Sequence, residues 1–525
     1  MKVSLVLDSV AVPAWVAEVV RRLLRNPLVQ IASVATTGVD PKPSESLPLL
    51  YRAYVQWDER RNTAKFNPLE TVDLANELAG IPQISSDEID SDLLVWLSSS
   101  QPQALSGRTL AFGLLRFVAS DPRRQNSGPP YYWELFRQEP ISGSAWELLP
   151  GTGGDPFVAA EGYSATEIGW SLRLNQTSPY SKAPALLERS LYELCRRSPA
   201  KAREDIPPAG VARPKPAGDV RCTKSLRLGS FIGKNVTRSL HRRLAYRGKE
   251  PYWFVAYRSD PNRFLRRTGQ FHTDGFKAIE PPEGSFLADP FLIAQNGKNF
   301  IFVEDYPYRE GKGVISVLEV DANGQIGSAE RVLERPYHLS YPFVFEHEGS
   351  IYMIPETMGS RRIELYEAKA FPSRWELVHV LKEDIEAVDT TLWIQDGIYY
   401  FFTNVAELGA TPNDLLYLYI SDSLCGEWIP HPANPICADV RSSRSAGCLF
   451  VRQNRIIRPA QDCSIRYGYA CQLNEIQTLS PTEYRERPVG RIDPNWHPGL
   501  IGTHTINSNE TIEVIDGQIY KSRYG

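Results

Sequence analysis

Over residues 1–200 the hydrophobic positions switch between two periods. Val3 to Leu7 is a short continuous apolar run, which predicts a buried strand. Pro13 to Leu24 carries apolar residues at helical spacing with Pro13 near the first turn, which predicts an amphipathic helix. Ile31 to Ala35 and Leu93 to Leu97 predict further strands, and Leu186 to Arg196 a closing helix. Strands alternating with helices predict an α/β domain on a mostly parallel, Rossmann-type sheet. No GxGxxG follows the first strand, so the dinucleotide fingerprint is absent.

Residues 201–250 break this pattern. Arg203 to Gly218, REDIPPAGVARPKPAG, is dominated by proline, glycine and charge and predicts a linker. The basic stretch Lys224 to Lys249 follows, with Lys224, Arg227, Lys234, Arg238, Arg242, Arg243 and Arg247. It reads either as a helix making peripheral contact with an anionic membrane or as a solvated helix over a domain seam. Its sparse aromatic anchors favour the seam.

After Tyr252 the runs become short and β-rich. Three segments align without gaps: DPFLIAQNGKNFIFVE (Asp289 to Glu304), YPFVFEHEGSIYMIPE (Tyr341 to Glu356) and DTTLWIQDGIYYFFTN (Asp389 to Asn404). Gly297, Gly349 and Gly397 coincide, and the spacings are 52 and 48 residues. Weaker copies run from Ala446 to Gln461 and from Ile501 to Asp516. Each is a strand, a tight turn and a second strand. Five such copies predict an all-β five-bladed propeller over residues 251–525, with WFVAY (Trp253 to Tyr257) closing the last blade. A β-sandwich would leave the gap-free spacing unexplained.

The repeat also organises the polar residues. Asp289, Tyr341 and Asp389 open the first strands, while Glu304, Glu356 and Asn404 end the second. A hairpin brings those two positions to one rim, so Asp289, Asp389, Glu304 and Glu356 should converge at one channel mouth. Crowded carboxylates raise one another's pKa values, and glycosidases need one carboxyl protonated and one ionised. The alternative roles are cation binding and satisfaction of strand-end amides.

Composition narrows the picture modestly. At 525 residues the chain is too long for one ordinary core. A net charge of -4 disfavours a general role with nucleic acid. Seven widely spaced cysteines, none in a CxxC pair, fit reduced thiols and no structural zinc. The first apolar run is broken by Asp8, so it does not read as a signal sequence, and a cytoplasmic location is expected.

The motifs ADPF with Asp289 and AVDTTLWIQDGIYYFF with Asp389 resemble the blade openings of family 43 glycoside hydrolases. The resemblance implies Asp289 as general base and Asp389 as the residue that orients and tunes the acid. It places the acid, a glutamate, where Ser445 stands in Arg444-Ser445-Ala446-Gly447-Cys448, and serine cannot protonate a leaving oxygen at neutral pH. Glu356 and Glu304 are then the candidates for a replacement acid, with Glu356 the one carried into the enzymatic reading. Family 43 relatives often hold calcium in the channel, and His504 is the residue of the fifth copy placed to reach it. The residues themselves define no metal-ligand set.

A closer resemblance covers most of the second half. FLADPFLI, KGVISVLE, YPFVF with IPET, VDTTLW and RPAQDCSIRYG are similar to the N-terminal domain of plant glucosamine inositolphosphorylceramide transferases and their bacterial relatives. That implies a sugar-handling propeller in glycan or glycolipid synthesis, with a glycan, sugar-phosphate or nucleotide-sugar ligand. Candidate ligand-binding residues are Glu304, Asp305, Tyr341, Arg444, Arg458, Gln461, Asp462 and His504. The two arginines would hold an anion and Tyr341 would stack on a sugar face. Trp393, inside a strand, reads as core.

GLLRFVASDPRRQNSGPPYYWELF and the residues after it resemble the loop-and-strand region of formyl-tetrahydrofolate-dependent formyltransferases. That family carries an Asn-x-His pair that stabilises an oxyanion. Here Arg116 and Val118 stand in those places, and the downstream aspartate falls at Gly154, with Asp155 one residue off. The expectation is a formyltransferase-like fold without its chemistry, so formyl-tetrahydrofolate is not an expected cofactor. Three functions stay open: a glycosidase or glycosyl-transfer enzyme, a non-catalytic glycan-binding scaffold, and an amino-sugar N-formyltransferase with a propeller as binding module.

Overall fold

In the first half, every residue of the strand Lys2–Leu7 after Lys2 is buried, as a central strand with both faces covered requires. This computed structural model describes residues 1–39, 49–62, 66–85, 88–100, 102, 110–121, 130–151, 155–167, 169, 171–196, 225–321 and 324–522. The stretch Arg203 to Gly218, Lys224 and Gly154 lie outside the described residues. The chain divides into two packed units. One is Met1–Ser239 with Glu407–Thr411 and Pro432–Ala438; the other is Leu240–Ala406 with Pro412–His431 and Asp439–Gly525.

The first unit holds a six-stranded sheet in the order Gln30–Thr36, Lys2–Leu7, Leu93–Trp96, Gly113–Val118, Ile141–Pro150, Phe157–Ala165. The first four strands are parallel and the last two antiparallel. The short link 151–156 is too brief for a parallel crossover, so the edge folds back as a hairpin. Helix Ala14–Arg25 turns Val16, Ala17, Val19, Val20 and Leu23 inward and packs on helix Ala183–Cys195. The closing helix starts three residues before Leu186, with Pro184 in its first turn.

The second unit contains five four-stranded antiparallel sheets, the five blades expected from the repeat. Blades one to four open with Ser285–Gln295, Ser340–His347, Ala387–Gln395 and Phe450–Arg452, each paired with the strand that follows it. Their hairpins turn on Asn296-Gly297, Glu348-Gly349, Asp396-Gly397 and Gln453-Asn454, all with positive φ. That is the two-residue turn whose twist matches the strands, and it explains the recurrent glycine. The fifth blade joins both ends of this region. Ile506–Ser508 pairs with Glu513–Ser522, which pairs with Lys249–Arg258, so WFVAY completes the last blade and closes the ring.

Aromatic side chains fill the space between blades. Trp375 of blade two meets Phe302 of blade one edge to face at 5.6 Å, and Tyr484 of blade four meets Phe402 of blade three at 5.9 Å. Arg258, directly across from Glu513, pins the closing blade. Its buried guanidinium pairs with that carboxylate and donates to the carbonyls of His272, Asp274 and Arg263. Among the described residues no helix is long and apolar enough to cross a membrane.

Candidate functional site

In blades one to three the inner strand loses register at one end: between Ala288 and Phe291, Ser340 and Phe343, and Val388 and Thr391. A left-handed residue sits at each break: Asp289 (φ 49°), Tyr341 (φ 44°) and Asp389 (φ 54°). A bulge of this kind re-aims a side chain, and a non-glycine residue held there costs of order 1–3 kcal/mol. Recurrence at three equivalent positions marks the channel end as the place where side chains are aimed. Asp289, Glu304, Glu356 and Asp389 are all buried there.

Asp389 is the fixed member. Arg444 donates to it from Nε at 2.7 Å and Nη2 at 3.4 Å, and to Asn413 Oδ1 at 2.9 Å. Gln461 donates to Asp389 at 3.4 Å and to the carbonyl of Ser445 at 2.9 Å. Arg444 is therefore committed to a carboxylate of the protein. Ser445 is buried, and its N–H donates to Asn404 Oδ1 at 3.1 Å.

Asp289 belongs to a relay. Its carboxylate accepts from Thr505 Oγ1 at 2.7 Å and from the Tyr341 N–H at 3.2 Å. His504 Nε2 lies 3.7 Å away, and His504 Nδ1 lies 2.5 Å from Asp516. Asp516 also accepts the N–H groups of His504, Thr505 and Asp289. Burial pushes the Asp289 carboxyl up to about 6, with His504 opposing and Asp389 adding to the rise. Burial alone would lower His504, but the charges of Asp516 and Asp289 carry it above its usual value.

Glu356 is pushed up to about 7 by burial, against the Met358 N–H that it accepts at 2.6 Å. Glu304 rises well above the carboxylate range by burial and by the charges of Asp289 and Glu356. Near neutral pH the cluster thus mixes protonated and ionised carboxyls, as its composition predicts.

Other expected ligand residues lie elsewhere. Tyr341 is fully buried, so it offers no face to a sugar. Its hydroxyl crosses the channel, sharing a bond with Thr391 Oγ1 at 2.9 Å and accepting the Gly447 N–H at 2.9 Å. Gly447 has φ 124°, and a Cβ there would meet the Ile506 carbonyl at 2.3 Å. Asn507 completes the crossing, accepting from Cys448 N and donating to Pro290 O. Arg458 turns to the outer strand, where it binds Glu486 and the Ser442 carbonyl. Asp462 pairs with Arg491 of that strand at 2.6 Å, and Asp305 accepts from Ser316 at 2.9 Å. Trp393 is half-buried and lines a cavity of about 270 Å³ toward the hairpin-turn end, with Phe450 and Ile506. It is a wall residue and not core.

Besides Asp516 and Thr505, three residues join the site without having been singled out in sequence. Tyr467 is exposed, carries Arg444 over its ring at 4.7 Å and meets His504 edge-on at 5.4 Å. Trp253 stacks on His504 at 4.0 Å. His338 accepts the Gly313 N–H at Nδ1, so Nε2 carries the proton toward Glu304, 3.5 Å away. Tyr467 lies within the RPAQDCSIRYG string, and Trp253 within WFVAY.

Asp289, His504 and Asp516 each offer one potential donor atom to a cation, and the three atoms lie within 4.8 Å of one another. Calcium takes six to eight oxygens. This trio offers an imidazole and two carboxylates already accepting from Thr505, Tyr341, His504 and Asp289. It suits a hydrogen-bonded relay better than a calcium cage. In the first unit, Arg116 faces Glu147 across the strands and binds it at 2.8 Å, a structural tie at the position where the formyltransferase resemblance expects asparagine.

Solved structures similar to the chain include a GH43 protein from Bacillus licheniformis, at 15% identity over 42% of this chain and 50% of that one (TM-score 0.30). A family 117 glycoside hydrolase from Zobellia galactanivorans shares 12% identity over 51% of this chain and 90% of that one (TM-score 0.33). Among curated proteins, glucosamine inositolphosphorylceramide transferase 1 of Oryza sativa subsp. japonica is 36% identical over 217 residues, 40% of this chain and 29% of the relative. Its Arabidopsis thaliana counterpart is 34% identical over 248 residues, 44% and 32% of the two chains. The matches span less than a third of those relatives' length. The segment that carries most of the acidic cluster, residues 277–495, matches the family model described as glucosamine inositolphosphorylceramide transferase 1, N-terminal.

Proposed function

We propose that the propeller handles a carbohydrate (a glycan, sugar phosphate or nucleotide sugar) at the acidic end of its channel. The observation that carries this reading is the convergence of Asp289, Glu304, Glu356 and Asp389 beside the exposed ring of Tyr467. Carboxylates accept sugar hydroxyls, and an aromatic ring covers a sugar's apolar face. The curated relatives are named for a glucosamine-transferring reaction on a ceramide-linked inositol phosphate, which agrees in ligand class.

The protonation states suggest a division of labour. Asp289, titrating at about 6, is the base, and Glu356, at about 7, is the acid that Ser445 cannot be. Asp389, clamped by Arg444, is the positioning residue. Calorimetric titration of the full chain with sugars, sugar phosphates and nucleotide sugars tests the reading. Saturable heat that disappears in Asp289→Asn and weakens in Tyr467→Ala is the expected result. A ligand that binds both variants as tightly as the parent, or a panel without any binder, would overturn it.

A further inference from the structure

We propose that helix Ser225–Ala245 docks in the plane of an anionic membrane surface. The sequence alone favours a covering helix over a seam; the side chains that the helix leaves exposed are what favour the membrane. One side of the helix is engaged, with Phe231 buried beside Tyr54 and Phe136 and Asn235 buried one turn on. A second line, Ile232, Val236, Leu240 and Leu244, faces solvent at 36%, 43%, 53% and 71% exposure. Residues four apart share one helix face, so these aliphatic side chains form a continuous stripe. A helix of a globular protein normally turns such a stripe inward.

Charge decides which occupant fits. From Val220 to Lys249 the sequence has no aspartate or glutamate, while Lys234 and Arg238 are exposed on the helix. An uninterrupted basic field beside an aliphatic stripe matches a leaflet of anionic lipid, which supplies negative headgroups and a hydrocarbon boundary together. The helix is not apolar enough to cross, so it lies flat. This inference stands independently of the sugar site.

Flotation of the full chain with vesicles tests it, using phosphatidylcholine alone or with about a third phosphatidylserine. The protein is expected to float with the anionic vesicles only, and less as salt rises. Lys234→Gln with Arg238→Gln should lower partitioning about 25-fold, about fivefold per charge. Leu240→Gln with Leu244→Gln should abolish flotation at every salt concentration. Glutamine is a good helix former at these exposed positions, so circular dichroism should match the parent. No flotation with anionic vesicles, or equal flotation of parent and both variants, would overturn the proposal. So would a dimer that the stripe variant converts to monomer, because the occupant would then be a second copy.

Discussion

The buried carboxyls make the propeller's stability depend on pH in a specific direction. Glu356 titrates at about 7 in the folded chain against an ordinary value of 4.5. A raised carboxyl binds its proton more tightly when folded, so its stabilising contribution is full below pH 4.5 and is lost as pH rises through 7. Between pH 5 and pH 8 that loss is about 2.5 kcal/mol for Glu356 alone. Asp289, held at about 6, and His504, held above its usual value, change stability in the same sense. For a unit of this size the Glu356 share lowers Tm by roughly 5–10 °C. Scanning calorimetry of the full chain at pH 5, 6, 7 and 8 measures it, with Glu356→Gln as the control. The variant should lose a large part of the slope. A propeller transition as stable at pH 8 as at pH 5 would refute the reasoning, since burial would not then be holding these groups protonated.

Two further perturbations test the framework around the site. Tyr341→Phe removes the hydroxyl that serves Thr391 and Gly447 and leaves buried backbone groups unpaired, which should cost about 2–4 kcal/mol, read as a lower midpoint in urea. Arg258→Met leaves Glu513 buried without its partner and should cost about 3–5 kcal/mol, with the closing strand Lys249–Arg258 losing hydrogen-exchange protection first.

The repeat was legible in sequence because each hairpin needs left-handed residues at one place, and Gly297, Gly349 and Gly397 mark it. Equal spacing then carried Asp289 and Asp389, and Glu304 and Glu356, to one end. The same alignment has Asp516 closing the fifth copy, where Glu304 and Glu356 close theirs, although Asp516 was not singled out in sequence. Tyr341 shows where register alone stops fixing a side chain. It shares its backbone position with two aspartates, but a phenol is long enough to reach the opposite blades, and its destination depends on a partner more than a hundred residues away. Arg458 and Asp462 were misplaced for a related reason: strand alternation sends neighbours to opposite faces, and which face meets the channel is fixed by the outer strand carrying Glu486 and Arg491.

The bridges made by Tyr341 and Asn507 also couple the blades mechanically. Tyr341 links blades two, three and four, and Asn507 links blades four, five and one. Together they connect all five blades by side-chain hydrogen bonds as well as by packing. A shift of one blade therefore strains bonds held by others, and the carboxyls carried on different blades keep their mutual spacing only while both bridges hold.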